Sequence, residues 1–346
     1  MTRRLPLVLA MLSAGAPGVA AADLLIVLNK SDHEAALVDP VSLKTMAKLP
    51  TGKGPHEVAV SPDGRLAYVS NYGMFGVFRE GERRNEPGNT ITVLDLVGRA
   101  VKDTFDLGEY SRPHGLAVSQ DGRRLWVTCE GAQAVLELDA ASGAILKAWK
   151  TTQETSHMLV AARDERKLYV ANIRSGSVTI IDRAAGRVAS LPTGPGSEGI
   201  DVTPDGREVW VSNRADSSLS VIDTARDTVV GKLASGGRMP IRVKFTPDGR
   251  QAWVSNAQSN AVTVFDARPR QLLGAIEVGA MPVGIQMSPD GKRAFVANTN
   301  DDLVTVIDVP ARKVLGTFTT GNEPDGMAWA TERRRDPAEG APRRGR

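Results

Sequence analysis

Three of the four histidines in this chain fall in one slot of an internal repeat. His56, His114 and His157 each stand two residues before the apolar run that opens a short β segment, in three successive copies. The later copies fill the same slot with Glu198, Ile241, Val283 and Asp325. Neutral imidazoles that converge on one point are donors for zinc, iron, copper or nickel. Three protein ligands leave a position open for water or substrate, which is how catalytic metals differ from structural ones. The slot therefore predicts one transition metal ion, with Zn, Fe or Cu as candidates, held by His56, His114 and His157. Glu198 is expected beside it as a fourth ligand, a general base or an orienter of His157.

Other residues group around this slot. Glu130 takes the place where other copies end a β run in Asn (Asn71, Asn172, Asn213, Asn256, Asn298), so it is expected to back His114 as a second N–H acceptor. Cys129 reads as a small buried thiol, with a soft ligand as the alternative. Arg242, one residue past the slot in its copy, is a candidate for the same mouth, either on substrate or supporting Glu198. The one large insertion, Gly73 to Gly88, is expected to be a lid or a plain surface loop. Tyr72, Phe75 and Phe78 would cover a ligand, and Arg79, Arg83 and Arg84 would pair with an anionic one. Arg112 lies in the loop that leads to His114. His33 reads as an exposed loop residue.

The elements that must position these residues repeat about every 42 residues. Ser-Pro-Asp-Gly or a variant recurs with its Asp at Asp63, Asp121, Asp164, Asp205, Asp248 and Asp290, at spacings of 58, 43, 41, 43 and 42. A β-branched run follows each (LAYVSN, LWVTCE, LYVANI, VWVSN, AWVSN, AFVAN), and LLIVLN near the start supplies a seventh. A second run ends in Asp39, Asp95, Asp139, Asp182, Asp223, Asp266 and Asp308. Runs of four to six residues bounded by Gly, Pro, Asn and Asp are strands, not helices. Four strands per repeat describe a propeller blade. The prediction is an all-β, seven-bladed β-propeller with four-stranded blades. The C-terminal strand, Pro324 to Ala330, joins the three N-terminal strands to close the ring. The recurring Asp and Gly are turn chemistry, and Trp126, Trp210 and Trp253 are expected between blades.

This P-x-G…SPDG…YVSN…VTVID pattern resembles the YVTN-repeat β-propeller family, of which YncE-like exported proteins are members. The resemblance covers Leu24 to Ala330. It implies a seven-bladed propeller and often an exported protein, and leaves the chemistry open. Some relatives bind nucleic acid, a role this chain's charge does not support.

The formal net charge of +3 comes from the ends. Setting aside Arg3, Arg4 and residues 332–346 leaves 35 basic and 37 acidic residues, without the basic stripe of a nucleic-acid binder. Residues 1–22 read as a secretory signal peptide cleaved after Ala22, which places the protein in a bacterial periplasm. Residues 23–331 form the propeller, and 332–346 form an Arg-rich disordered tail that is solvated or a weak electrostatic handle for lipid or an acidic partner. No segment is long and apolar enough to span a membrane, and a closed ring needs no oligomer. One Cys excludes a disulfide framework. Two functions remain: a metal-dependent hydrolase or oxidoreductase with substrate entering under the 73–88 loop, or a non-catalytic periplasmic scaffold for a small molecule or a protein.

Overall fold

The computed structural model describes residues 23–74 and 85–331. The signal-peptide reading of 1–22, the tail at 332–346, and Phe75, Phe78, Arg79, Arg83 and Arg84 lie outside the described residues. Among them run twenty-eight strands, β1 to β28 in chain order, arranged as seven four-stranded sheets. Each sheet is an antiparallel meander, and the seven make a β-propeller. Blade 1 is discontinuous in sequence. β28 (Pro324–Thr331) pairs with β1 (Asp23–Asn29), which continues through β2 (Glu34–Val38) to β3 (Thr45–Pro50). That pairing closes the ring and covers two strand edges that would otherwise template association.

Burial explains the strand sequences. The second and third strands of each blade lie between neighbouring blades and are apolar on both faces. Trp126, Trp210 and Trp253 are fully buried there, as the repeat predicts. Trp126 packs with Leu159, Leu168 and Val170 of the next blade. The outermost strands face solvent and alternate poorly, as in Thr45–Pro50. The recurrent Asp residues are scaffold. Asp63 Oδ1 accepts from Ser61 Oγ at 2.6 Å and Arg65 N at 3.1 Å, while Gly64 supplies φ 73°. Asp39 Oδ1 takes the amides of Val41 and Ser42 at the next turn, and these bonds hold its carboxyl below its ordinary range.

Candidate functional site

The innermost strands are β4 (Pro55–Val60), β8 (Pro113–Val118), β12 (Ser156–Ala161), β16 (Ser197–Val202), β20 (Pro240–Phe245), β24 (Pro282–Met287) and β28. Every one begins with a β-bulge. In blade 2 the ladder pairs Pro55 with Asn71 and Val58 with Val69, so His56 and Glu57 together face the single Ser70. The same irregularity falls at His114–Gly115, His157–Met158, Glu198–Gly199, Ile241–Arg242, Val283–Gly284 and Asp325–Gly326. Bulges re-aim side chains. All seven first residues border one cavity of about 540 Å³ at the channel mouth.

A girdle of hydroxyls fixes the bulges. Ser70 Oγ accepts from Glu57 N at 3.1 Å and donates to His114 O of the next blade at 2.7 Å. Thr128 Oγ1 accepts from Gly115 N and donates to His157 O at 2.5 Å. Ser255 links Arg242 N to Val283 O in the same way. The backbones of His114, His157, Ile241 and Val283 are thus each tied to the blade before.

His56, His114 and His157 are neighbours. The first two rings are 5.1 Å apart between centroids, and His114 lies against His157 at 3.6 Å with the planes 33° apart. Among the described residues no three His, Cys, Asp or Glu side chains are gathered as a metal-binding group. His56 Nδ1 bonds Gly54 O at 2.9 Å, which leaves Nε2 toward the cavity side chains. His157 Nδ1 makes a short contact with Glu130, and its Nε2 is 3.7 Å from Glu198. Glu130 also accepts from Tyr72 OH at 2.5 Å, and Glu198 is 2.9 Å from Arg214. Tyr72 stacks at 4.6 Å from His56.

Two expectations about the second strands change. Cys129, not Glu130, takes the Asn position, because it pairs with Pro113 as Asn71 pairs with Pro55. Glu130 stands one residue further on and opens a short 3-10 turn, Glu130–Ala132. That turn carries its carboxylate to His157 rather than to His114. Cys129 is buried among apolar side chains, and burial pushes its thiol up. Arg242 does not reach Glu198. It pairs across the channel with Glu57, and its Nη1 lies 3.4 Å from Met158 Sδ. Arg112 borders the cavity and bonds Asn85 Oδ1. His33 is a staple, its Nδ1 accepting from Gly54 N at 3.1 Å.

Burial sorts the three imidazoles. It lowers His56 to about 4 and takes His114 well below its ordinary value, so both are neutral. Burial acts on His157 as well, but Glu130, Glu198 and Glu57 outweigh it and raise that imidazole. Burial also raises Glu57 and Glu198, against the opposing pull of Arg242 on the first and His157 on the second.

Several lining residues escaped the sequence reading: Glu57, Lys30, Arg214, Met239 and Met281. A signal exists for most. The residue after each second-strand Asn position is Lys30, Tyr72, Glu130, Ile173, Arg214, Ala257 and Thr299, and all but Ala257 border the cavity. Met239 and Met281 occupy left-handed backbone (φ 58° and 57°) just before their inner strands.

Fold and site together define a seven-bladed propeller whose channel mouth is acidic and imidazole-rich on one arc and apolar on the other. A family model described as a YNCE-like beta-propeller matches residues 88–248, so the middle of the chain is similar to these propellers. Protein NirF of Pseudomonas aeruginosa is 30% identical over 192 residues, covering 53% of this chain and 46% of NirF. The chain thus spans about half the length of that curated relative. Among solved structures, Kuenenia stuttgartiensis hydrazine synthase is 22% identical with a TM-score of 0.70, over 82% of this chain and 92% of that one. The dihydro-heme d1 dehydrogenase NirN in complex with DHE is 18% identical with a TM-score of 0.64, over 88% and 74%. These two likenesses establish shared fold. Among the described residues no helix is long and apolar enough to cross a membrane.

Proposed function

We propose that the channel mouth binds a transition metal carried in a flat organic ligand of the iron-tetrapyrrole class, with His56 on the metal. His56 carries the reading. Its Nδ1 is anchored on Gly54 O, the arrangement that fixes a tautomer and leaves Nε2 free to coordinate. A bare ion needs several converging donors, whereas a metal already held by a macrocycle would need a single imidazole from the protein, and His56 would supply it. The cavity of about 540 Å³ is of cofactor size. Met239, Ile241, Met281 and Val283 give it an apolar wall for a ring system. NirN, a relative in fold, acts on dihydro-heme d1. That suggests the chemical class and no more.

On this reading the metal supplies any redox chemistry, and the three histidines divide the remaining work. His157, held charged between Glu130 and Glu198, is a proton donor rather than a ligand, because a protonated imidazole cannot coordinate. His114 is a neutral spacer packed between the other two. Tyr72 and Arg112 border the ligand at the mouth. Export to the periplasm through residues 1–22 belongs to the same proposal.

The test is a titration of the mature protein with ferric protoporphyrin IX, read in the visible spectrum. A saturable one-to-one shift is expected. It should weaken at least about tenfold in His56→Ala, the loss of one coordination bond's worth of affinity, and return with added imidazole. His157→Ala should keep the coordinated spectrum. A shift indifferent to His56→Ala would overturn the assignment. Retention of bare Zn, Fe or Cu, measured by mass spectrometry and lost in a variant lacking all three histidines, would restore the three-ligand ion site instead.

A further inference from the structure

The second residue of each bulge forms a second ring below the first, and it follows a pattern of its own. Four blades place glycine there: Gly115, Gly199, Gly284 and Gly326. A Cβ at these positions would meet the next blade's backbone at 2.8, 2.2, 2.2 and 2.1 Å. The other three blades, alternating with glycine, carry long side chains: Glu57, Met158 and Arg242. All three border both the mouth cavity and a second cavity of about 510 Å³ further along the channel. They partition the channel, and Arg242 bonds both of the others.

Arg242 is under-used in this partition. A guanidinium has five N–H donors. One Nη bonds Glu57, the other faces a thioether, which is a weak acceptor, and Nε is buried with no hydrogen-bond partner. Only 12% of the side chain is exposed. A buried donor left unmade is costly, and a planar guanidinium suits a carboxylate on two parallel bonds. The lower cavity is bordered by Val60, Val160 and Val202 and by the polar Asp201, Lys244 and Gln286.

We propose that Arg242 is an oxyanion anchor at the floor of the mouth cavity, taking a carboxylate of the bound ligand on the donors that Glu57 leaves unused. The proposal rests on the tetrapyrrole reading for the ligand's flat core, but not for its metal. Glu57 then acts as the resident counter-ion, keeping the guanidinium paired when no ligand is bound. The ligand class is a planar molecule with at least one carboxylate on the edge that enters first.

Metal-free protoporphyrin IX and its dimethyl ester separate this anchor from coordination by His56. Both are titrated into the full mature protein by fluorescence. The diacid is expected to bind about 10- to 100-fold tighter than the diester, the range of a charge-assisted pair. Removing Arg242 alone strands Glu57, so the variant used is Arg242→Met with Glu57→Gln, which neutralises both. It should bind the two probes alike. Glu57→Gln alone should widen the diacid preference, because the guanidinium loses its internal competitor. Equal binding of the two probes to the parent protein, or a diacid preference that survives in the double variant, would overturn the anchor. If His56→Ala leaves the ferric spectrum unchanged while the diacid preference stands, the coordination reading fails and the anchor does not. Binding of neither probe would sink the anchor.

Discussion

Two arcs of one ring share a backbone and differ in the side chains they aim at the channel mouth. Blades 2 to 5 present His56, His114, His157 and Glu198, backed by Tyr72, Glu130 and Arg214. Blades 6 and 7 present Ile241 and Val283, overhung by Met239 and Met281. Both arcs use the same bulge at the same register. The bulge therefore belongs to the fold, and the side chains it aims are open to change without disturbing the ladder. A polar arc facing an apolar one binds a flat ligand by its edge and its face at once.

The strongest break in this comparison is the contact that joins the arcs. Arg242 comes from the apolar side and Glu57 from the polar side. Arg242→Ala leaves a buried carboxylate without its partner and should cost about 3–5 kcal/mol in urea unfolding. Adding Glu57→Gln should recover most of that loss. A single-variant cost below about 1 kcal/mol would mean that water already satisfies Glu57.

Next come the bulge glycines. Gly115 lies in the polar arc and Gly284 in the apolar one, and each faces the backbone of the next blade. Alanine at either should lower stability by about 1–3 kcal/mol, with Gly284→Ala the worse, because its Cβ would lie nearer the neighbouring carbonyl. Thermal unfolding read by circular dichroism measures both. A large cost in one arc and none in the other would refute a shared frame.

Acid separates the arcs more gently. His56 and His114 are held neutral by burial, so unfolding takes up protons between about 6.5 and about 4, the value to which burial lowers His56. Stability of the ligand-free protein should fall as pH drops through that window. His56→Gln and His114→Gln should each flatten the fall. His157 has the opposite sign. Its raised value contributes stability at low pH that fades as pH rises through the folded value. His157→Gln should therefore remove a loss on the alkaline side. Urea midpoints measured against pH test all three, and unchanged slopes would show that the imidazoles titrate as in the unfolded chain.

The ring and its closure were legible because turn chemistry repeats: Asp-Gly hairpins and β-branched runs have local causes that survive in each copy. The His slot was legible for the same reason, since departures stand out against a template. The partners were not. Glu130 was misplaced by one residue, because LWVTCE was read as ending where LAYVSN ends, and Cys129 conceals the missing Asn. The Arg242–Glu57 pair spans 185 residues, and no local pattern announces a contact across a channel. The bulge left a faint trace, glycine at Gly115, Gly199, Gly284 and Gly326, which means close backbone approach only once the blades are set side by side.

The smallest effect is the most discriminating. Ser70 and Ser255 do the same job in the two arcs, each tying a bulge amide to a ring carbonyl of the next blade, His114 O in one case and Val283 O in the other. Alanine at either site removes one buried hydroxyl and should cost about 1 kcal/mol of stability. Only Ser70→Ala loosens the backbone of an imidazole, the one packed between His56 and His157. It should therefore weaken binding of ferric protoporphyrin IX dimethyl ester, which offers Arg242 no carboxylate, several-fold, while Ser255→Ala leaves that affinity alone. Equal loss of stability with unequal loss of affinity would locate ligand recognition in the polar arc. Equal loss of both would make the two arcs one rigid unit, whose ring geometry, rather than its imidazoles, governs binding.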